Sequence, residues 1–388
     1  MLILHFCLTP LAAAPYRICE ALNMLEGVTA RSIVLDAQGY SKLSFPSDLI
    51  WSEHKAEILA LLEKADLLHL HNFVGLDCDK FTPIDFQALW DKDMPMVRHF
   101  HSNPDSICSY LKITRQQLDD CPIPKLVLCQ FQERYYPTAK TIPNVVTNFT
   151  RSTSEPSDTI RIGYSPSNFR TAREKRWDTK GYHETKRLLI NFMHKANRQG
   201  LNVELDIMER VAFDECLKRK AACDIVIDDL VTGSYHMSAL EGLASGTIVL
   251  TFADNRVIAE TMKLTQGQFP PIINTKLEEL QNVLFHLAKN RALISHIKQA
   301  TYDWMQTYWQ PKERAQQFVV IYQQVIADPK AQFPLRYDPQ STSDLWFAID
   351  QYDVAWKARH KFWPTQNTGI VFKLKRKIYR VLKILGLK

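Results

Sequence analysis

Short apolar runs alternate with stretches whose apolar positions fall three or four apart, and this alternation fills the chain to about residue 326. Residues 2–7, 33–35, 66–71, 96–101 and 125–129 read as strands, with helices at about 16–25 and at 54–64. Runs of this length are what strands covered on both faces require. Residues 150–159, TRSTSEPSDT, are polar and turn-rich and read as a linker. The alternation restarts with the strand IRIGYS at 160–165, followed by helix 182–199, strand 203–208, helix 211–220 and strand 225–227. Helix 235–244, strand 248–250, helix 277–289, and a helix 294–308 that breaks before Pro311 complete it, with a last helix running to 326. Strands alternating with helices predict the α/β class, here two doubly wound parallel sheets. The domains expected are 1–150, 158–328 and a C-terminal extension, 329–388.

Residues 222–251 carry the densest signal. The run Ile225-Val226-Ile227 ends in the two carboxylates Asp228 and Asp229, and Gly233-Ser234 then breaks the chain. Ser234 fits a helix N-cap, Met237, Leu240, Leu243 and Ala244 keep helical spacing, and Gly246 fits the C-terminal stop. Glu241 is the only acid between Asp229 and Asp254.

This unit, with SALEGLASGTIVL at its centre, resembles the nucleotide-sugar-binding half of the retaining GT-B glycosyltransferases of the group 1 family. That family carries two Glu eight positions apart on this helix; Glu241 matches the second, and Gly233 stands where the first would be. LLHLHN at 67–72, IPNVV at 142–146, and Pro166-Ser167-Asn168 followed by Lys180-Gly181 resemble further family segments. The resemblance covers about residues 1–328 and implies two Rossmann-like domains facing a cleft. It implies transfer of a hexose from a nucleotide sugar to a glycan or lipid-linked acceptor in surface polysaccharide synthesis, with retention of configuration, although Gly233 leaves retention or inversion open.

By that resemblance Glu241 holds the ribose hydroxyls. The donor side is expected to use Ser165, Asn168, Arg170, Arg173, Lys180, Ser234, Tyr235, His236 and Met237 with Glu241. The acceptor side is expected to use Thr9, Pro10, Ala13, His71, Asn72 and His101, and the catalytic residues His101, Lys180 and Glu241. A departing diphosphate develops charge that Lys or Arg stabilises without a metal ion. No cofactor beyond the nucleotide-sugar co-substrate is expected. The first loop carries alanines where the family has glycines, which permits close approach but disfavours positive φ. His69 and His71 alternate on one strand, and at least one packs inside.

Asp77-Cys78-Asp79 has the D-x-D form of metal-dependent transferases, but it follows a strand of a doubly wound domain, so no metal is expected there. There is no G-x-G-x-x-G after the first strand and no G-x-x-x-x-G-K-[ST], so dehydrogenase and P-loop readings lose their main support. The eight cysteines form no C-x-x-C pair and fit a reducing cytoplasm. The N-terminal apolar segment has no cation before Arg17, so it reads as a strand rather than a signal peptide.

The net charge is +6, but the ten cations after Asp353, the last acid, leave residues 1–353 at −4. The body therefore gives no reason to expect nucleic acid. Residues 369–388 carry seven cations, no acid, and Val371, Leu374, Ile378 and Leu385 at helical spacing. That composition suits an amphipathic helix on an anionic membrane surface, placing the protein in the cytoplasm and at the inner face of the cell membrane. Two other functions stay open at this point: a nucleotide-sugar epimerase of the same fold, and a catalytically silent transferase-like partner subunit.

Overall fold

Among the described residues, seven parallel strands of the first half pair edge to edge, and five of the second half do the same. The computed structural model describes residues 1–37, 43–149, 151, 157–166, 179–338 and 340. In the first half these are β1 (Leu2–Cys7), β2 (Thr29–Val34), β3 (Leu49–Ile50), β4 (Leu67–His71), β5 (Met96–Phe100), β6 (Lys125–Leu128) and β7 (Lys140–Ile142). They lie in the order β3-β2-β1-β4-β5-β6-β7. The second half has β8 (Ile160–Tyr164), β9 (Val203–Ile207), β10 (Ile225–Ile227), β11 (Ile248–Thr251) and β12 (Ile272–Asn274), in the order β12-β11-β10-β8-β9.

Each order reverses direction once, between β1 and β4 and between β8 and β10. Crevices open beyond the C-terminal ends of strands at such reversals, and ligands of doubly wound sheets bind there. Successive side chains of a strand point to opposite faces, so each sheet buries two layers. In the first, Leu4, Phe6, Leu68 and Leu70 fill one layer and Ile3, Leu67 and Val97 the other. In the second, Ile225, Ile227, Ile248 and Leu250 face one way, while Val226 and Val249 meet Leu240 and Leu243 of the helix Met237–Ala244.

Two expectations need correction. The helix Pro311–Ala327, counted with the second half from sequence, packs its Phe318, Ile321, Tyr322 and Val325 on the first half, beside Ile3, Ile18 and Leu67. Its apolar face is buried there against the layer that Ile3, Leu67 and Val97 form on the first sheet. The helix after β10 begins at Met237, with His236 rather than Ser234 at its N-cap and no side-chain cap. The Ser234 hydroxyl instead bonds the Gln130 carbonyl of the first half, 2.8 Å away. The tail, 369–388, lies outside the described residues.

Candidate functional site

A cavity of about 500 Å³ lies between the two halves, where the crevices of both sheets meet. Leu11, Ala12, Ala14, His101 and Ser102 line it from the first half. Tyr164, Ser165, Pro166, Lys180, Arg210, Lys220, Asp228, His236, Met237, Ser238 and Glu241 line it from the second. Five of the expected donor residues therefore meet there: Ser165, Lys180, His236, Met237 and Glu241. His101 faces them.

The second sheet's reversal supplies the polar centre. Ser165, just past β8, bonds the Ser238 hydroxyl at 2.9 Å. Asp228, just past β10, accepts the backbone N–H of His236 at 2.8 Å and has the His236 ring nitrogen at 3.5 Å. Burial alone would raise the Asp228 carboxyl, but His236 and Lys180 outweigh it and hold it below the usual range. Asp228 was absent from the expected site. Its signal was its place at the end of an apolar strand, at the sheet edge where ligands bind. Lys180 adopts φ 52° and Gly181 φ 70°. A Cβ on Gly181 would stand 2.5 Å from Val231, so only glycine lets the chain turn tightly after the lysine.

Glu241 is also at the cavity, but both its oxygens are already held. Oε1 accepts from Arg17 Nη2 at 2.7 Å, and Oε2 from Lys220 Nζ at 2.5 Å. Burial would raise its carboxyl, but Lys220 and Arg17 more than offset this and lower it. Lys220 shifts the opposite way: burial would depress it, and Glu241 raises it. Arg17 sits on the helix Ala14–Leu22 of the first half, so the carboxylate ties the halves together.

Other expected residues lie off the cavity. Tyr235 is buried, with its hydroxyl on Cys129 Sγ, and so belongs to the contact between the halves rather than to the lining. His71 is fully buried behind His101, 2.8 Å from it. Asn72 is also buried; its side-chain oxygen accepts the His101 backbone N–H at 2.7 Å and its amide bonds Ser102 at 3.0 Å. It fixes the loop that carries His101. Thr9, Pro10 and Ala13 flank the lining residues Leu11, Ala12 and Ala14 without lining the cavity themselves. Asn168, Arg170 and Arg173 lie outside the described residues. Asp77 and Asp79 are exposed, and Asp79 pairs with Lys80 at 3.2 Å.

The first loop departs from expectation. Leu11, Ala12 and Ala13 all take positive φ, at 48°, 54° and 64°. Each such L-residue costs about 1–2 kcal/mol, and strain of this kind clusters at functional sites. The surrounding packing holds the loop: Ala13 is fully buried and Ala14 nearly so.

No protein-family model and no curated protein sequence matches this chain. Among solved structures, a sucrose-phosphate synthase from Thermosynechococcus elongatus is similar over 84% of this chain and 99% of its own, at 11% identity and TM-score 0.52. Anabaena HepE, solved in complex with UDP-glucose, is similar over 84% of this chain and all of its own, at 14% identity and TM-score 0.50. These likenesses, with the two sheet orders and the cleft between them, give the chain the GT-B fold.

Proposed function

We propose that this chain is a GT-B glycosyltransferase that moves a hexose from a nucleotide sugar to a glycan or lipid-linked acceptor in surface polysaccharide synthesis. The observation that carries the reading is the cavity at the meeting of two sheet-reversal crevices, with Lys180, Ser165 and His236 on one wall and His101 on the other. One crevice suits the nucleotide and the other the acceptor. The Anabaena protein similar in fold was solved with UDP-glucose, which makes a nucleoside-diphosphate sugar the donor to test first.

Transfer breaks the bond between the anomeric carbon and a diphosphate oxygen, forms one to an acceptor oxygen, and releases the acceptor's hydroxyl proton. In this reading Lys180 meets the charge that grows on the departing diphosphate, so no divalent ion is required at that point. His101 is held neutral by burial, with its pKa near 3, and so accepts a hydrogen bond from a sugar hydroxyl. Glu241 takes the ribose hydroxyls on the lone pairs that Arg17 and Lys220 leave free. The transfer retains configuration. The tail, 369–388, holds the enzyme at the anionic cytoplasmic membrane face, where a lipid-linked acceptor is presented.

The test is incubation of the purified protein with UDP-, GDP-, ADP- and CMP-sugars and a lipid-linked acceptor, with product anomer read by NMR. Sugar on the acceptor in the donor's anomeric form, undiminished by chelator, is expected. An isomerised sugar released without acceptor, or no turnover of any donor, overturns the reading.

A further inference from the structure

Five imidazoles share one face of the first sheet. His5 of β1, His69 and His71 of β4, His99 of β5 and His101 just past it stand side by side because the register pairs His5 with His69 and His71 with His99. Toward the other end of the same strands that face is Ile3, Leu67 and Val97. The helix Pro311–Ala327 covers the row, with Phe318 and Tyr322 against the His69 ring. His5, His69, His71 and His99 are fully buried, while His101 is partly exposed and lines the cavity.

Burial, and then the neighbouring rings, push His69, His71 and His99 well below the usual imidazole value, so these rings are neutral. A neutral ring has one N–H and one lone pair. Two hydrogen-bonded chains result. His5 Nδ1 meets His71 Nε2 at 3.0 Å, and His71 Nδ1 meets His101 Nε2 at 2.8 Å. The Tyr322 hydroxyl meets His69 Nδ1 at 2.7 Å, and His69 Nε2 meets His99 Nδ1 at 3.1 Å. At the cleft end the chains stop on His99 Nε2 and His101 Nδ1, which have no hydrogen-bond partner among the described residues. A buried polar atom left this way costs about 1–3 kcal/mol, whereas leucine or valine would fill the layer with nothing to satisfy.

We propose that His71, His99 and His101 bind one divalent transition-metal ion of the zinc, cobalt and nickel class at the edge of the cleft. One ring nitrogen from each lies within 4.8 Å of the others, close enough to converge on a single ion. An all-imidazole set suits this class and not magnesium or calcium, which take oxygen. The outer rings supply the support such ligands need: His5 holds Nε2 of His71, and His69, itself held by Tyr322, holds Nδ1 of His99. That leaves His99 Nε2 for the ion, and His71 Nδ1 exchanges its 2.8 Å bond to His101 Nε2 for the metal. His5, His69 and His71 also converge within 4.8 Å, but none of them reaches the cavity, whereas His101 gives an entry path. The set contains no carboxylate, so the ion keeps its full charge and draws its fourth ligand, an anionic oxygen, from the cleft. The site is separate from the D-x-D segment and does not rest on the sugar-transfer reading, in which His101 meets a sugar hydroxyl with no ion bound.

The test uses the full chain, purified without a histidine tag and stripped with chelator, then titrated with Co(II) and next Zn(II). One equivalent of Co(II) with the visible absorption of a low-coordinate nitrogen-ligated ion, displaced by Zn(II), is expected, with a rise in Tm. His99→Gln, confirmed as folded by its melt, should lose saturable uptake. Tyr322→Phe keeps the packing and should weaken binding about tenfold through His69. Absence of saturable uptake by the wild type, or equal uptake by folded His99→Gln, overturns the proposal. Should His99→Gln fail to fold, unchanged affinity in Tyr322→Phe overturns it equally.

Discussion

Arg17 Nη2 stands 2.7 Å from Glu241 Oε1, across the boundary between the two halves, and both side chains are buried. Lys220 holds the other oxygen of the same carboxylate and is buried as well. One carboxylate thus pairs with two buried cations where the halves meet.

Glu241→Ala should therefore cost about 3–5 kcal/mol of stability, because it leaves two buried cations without a counter-charge. From sequence alone the same change would be expected to leave the fold intact. Glu241→Gln keeps the shape and should weaken nucleotide binding about tenfold or more, since it removes charge-assisted hydrogen bonds. Denaturant unfolding separates the first effect, and nucleotide titration of the Gln variant the second. Unchanged nucleotide affinity in that variant would remove Glu241 from the donor site.

The same cluster sets a pH window. The Glu241 carboxyl is lowered from its ordinary 4.5, so its contribution is present above pH 4.5 and is lost as pH falls through its folded value. Lys220 is raised from 10.5, so its contribution is present below pH 10.5 and is lost as pH rises through its folded value. Wild type should exceed Glu241→Gln in stability by a constant margin between these limits, and the margin should shrink on the acid side. Melts of both proteins across pH check this.

Lys180→Ala should lower kcat by about 10²-fold, with a smaller effect on donor affinity, if its charge acts on the departing diphosphate. Steady-state kinetics beside direct donor binding give the split. Equal losses in both would make it a ground-state contact only.

Gly233 has φ 78°, and its carbonyl accepts the Asp254 N–H at 2.9 Å. A Cβ there would meet nothing closer than 3.4 Å, so the obstacle is backbone conformation rather than space. Gly233→Ala should cost about 1–2 kcal/mol, read as a lower denaturation midpoint. A Glu at this position would carry the same strain, which gives a physical reason for glycine where the resembling family has an acid.

Removing residues 369–388 should release the protein from anionic vesicles while the melt of the remainder stays unchanged. Binding of the intact chain should fall with salt, as the Debye length shrinks from about 10 Å at 0.1 M to about 3 Å at 1 M. Vesicle sedimentation of both proteins decides, and a lowered Tm on truncation with no vesicle binding would mean that the segment packs on the protein itself.

The sequence by itself determined the fold class and most of the strands, though not the short β3, β7 and β12. A parallel strand buried on both faces must be a short apolar run, so runs such as Ile225-Val226-Ile227 and Ile248-Val249-Leu250 announce themselves locally. Its resemblance to the GT-B glycosyltransferases also marked Lys180, Ser165, His236 and Glu241, all four of which line the cavity. Only the tertiary structure decided the rest. Arg17 and Glu241 are 224 positions apart, and nothing local in either segment names the other. His5, His69, His71, His99 and His101 lie on three strands or just past one, and only the pairing register puts their rings on one face beneath the helix Pro311–Ala327. The positive φ of Leu11, Ala12 and Ala13 opposes local preference, so it is set by the packing around that loop. Residue type and period act over a few positions; partner, register and strain depend on what the rest of the chain brings alongside.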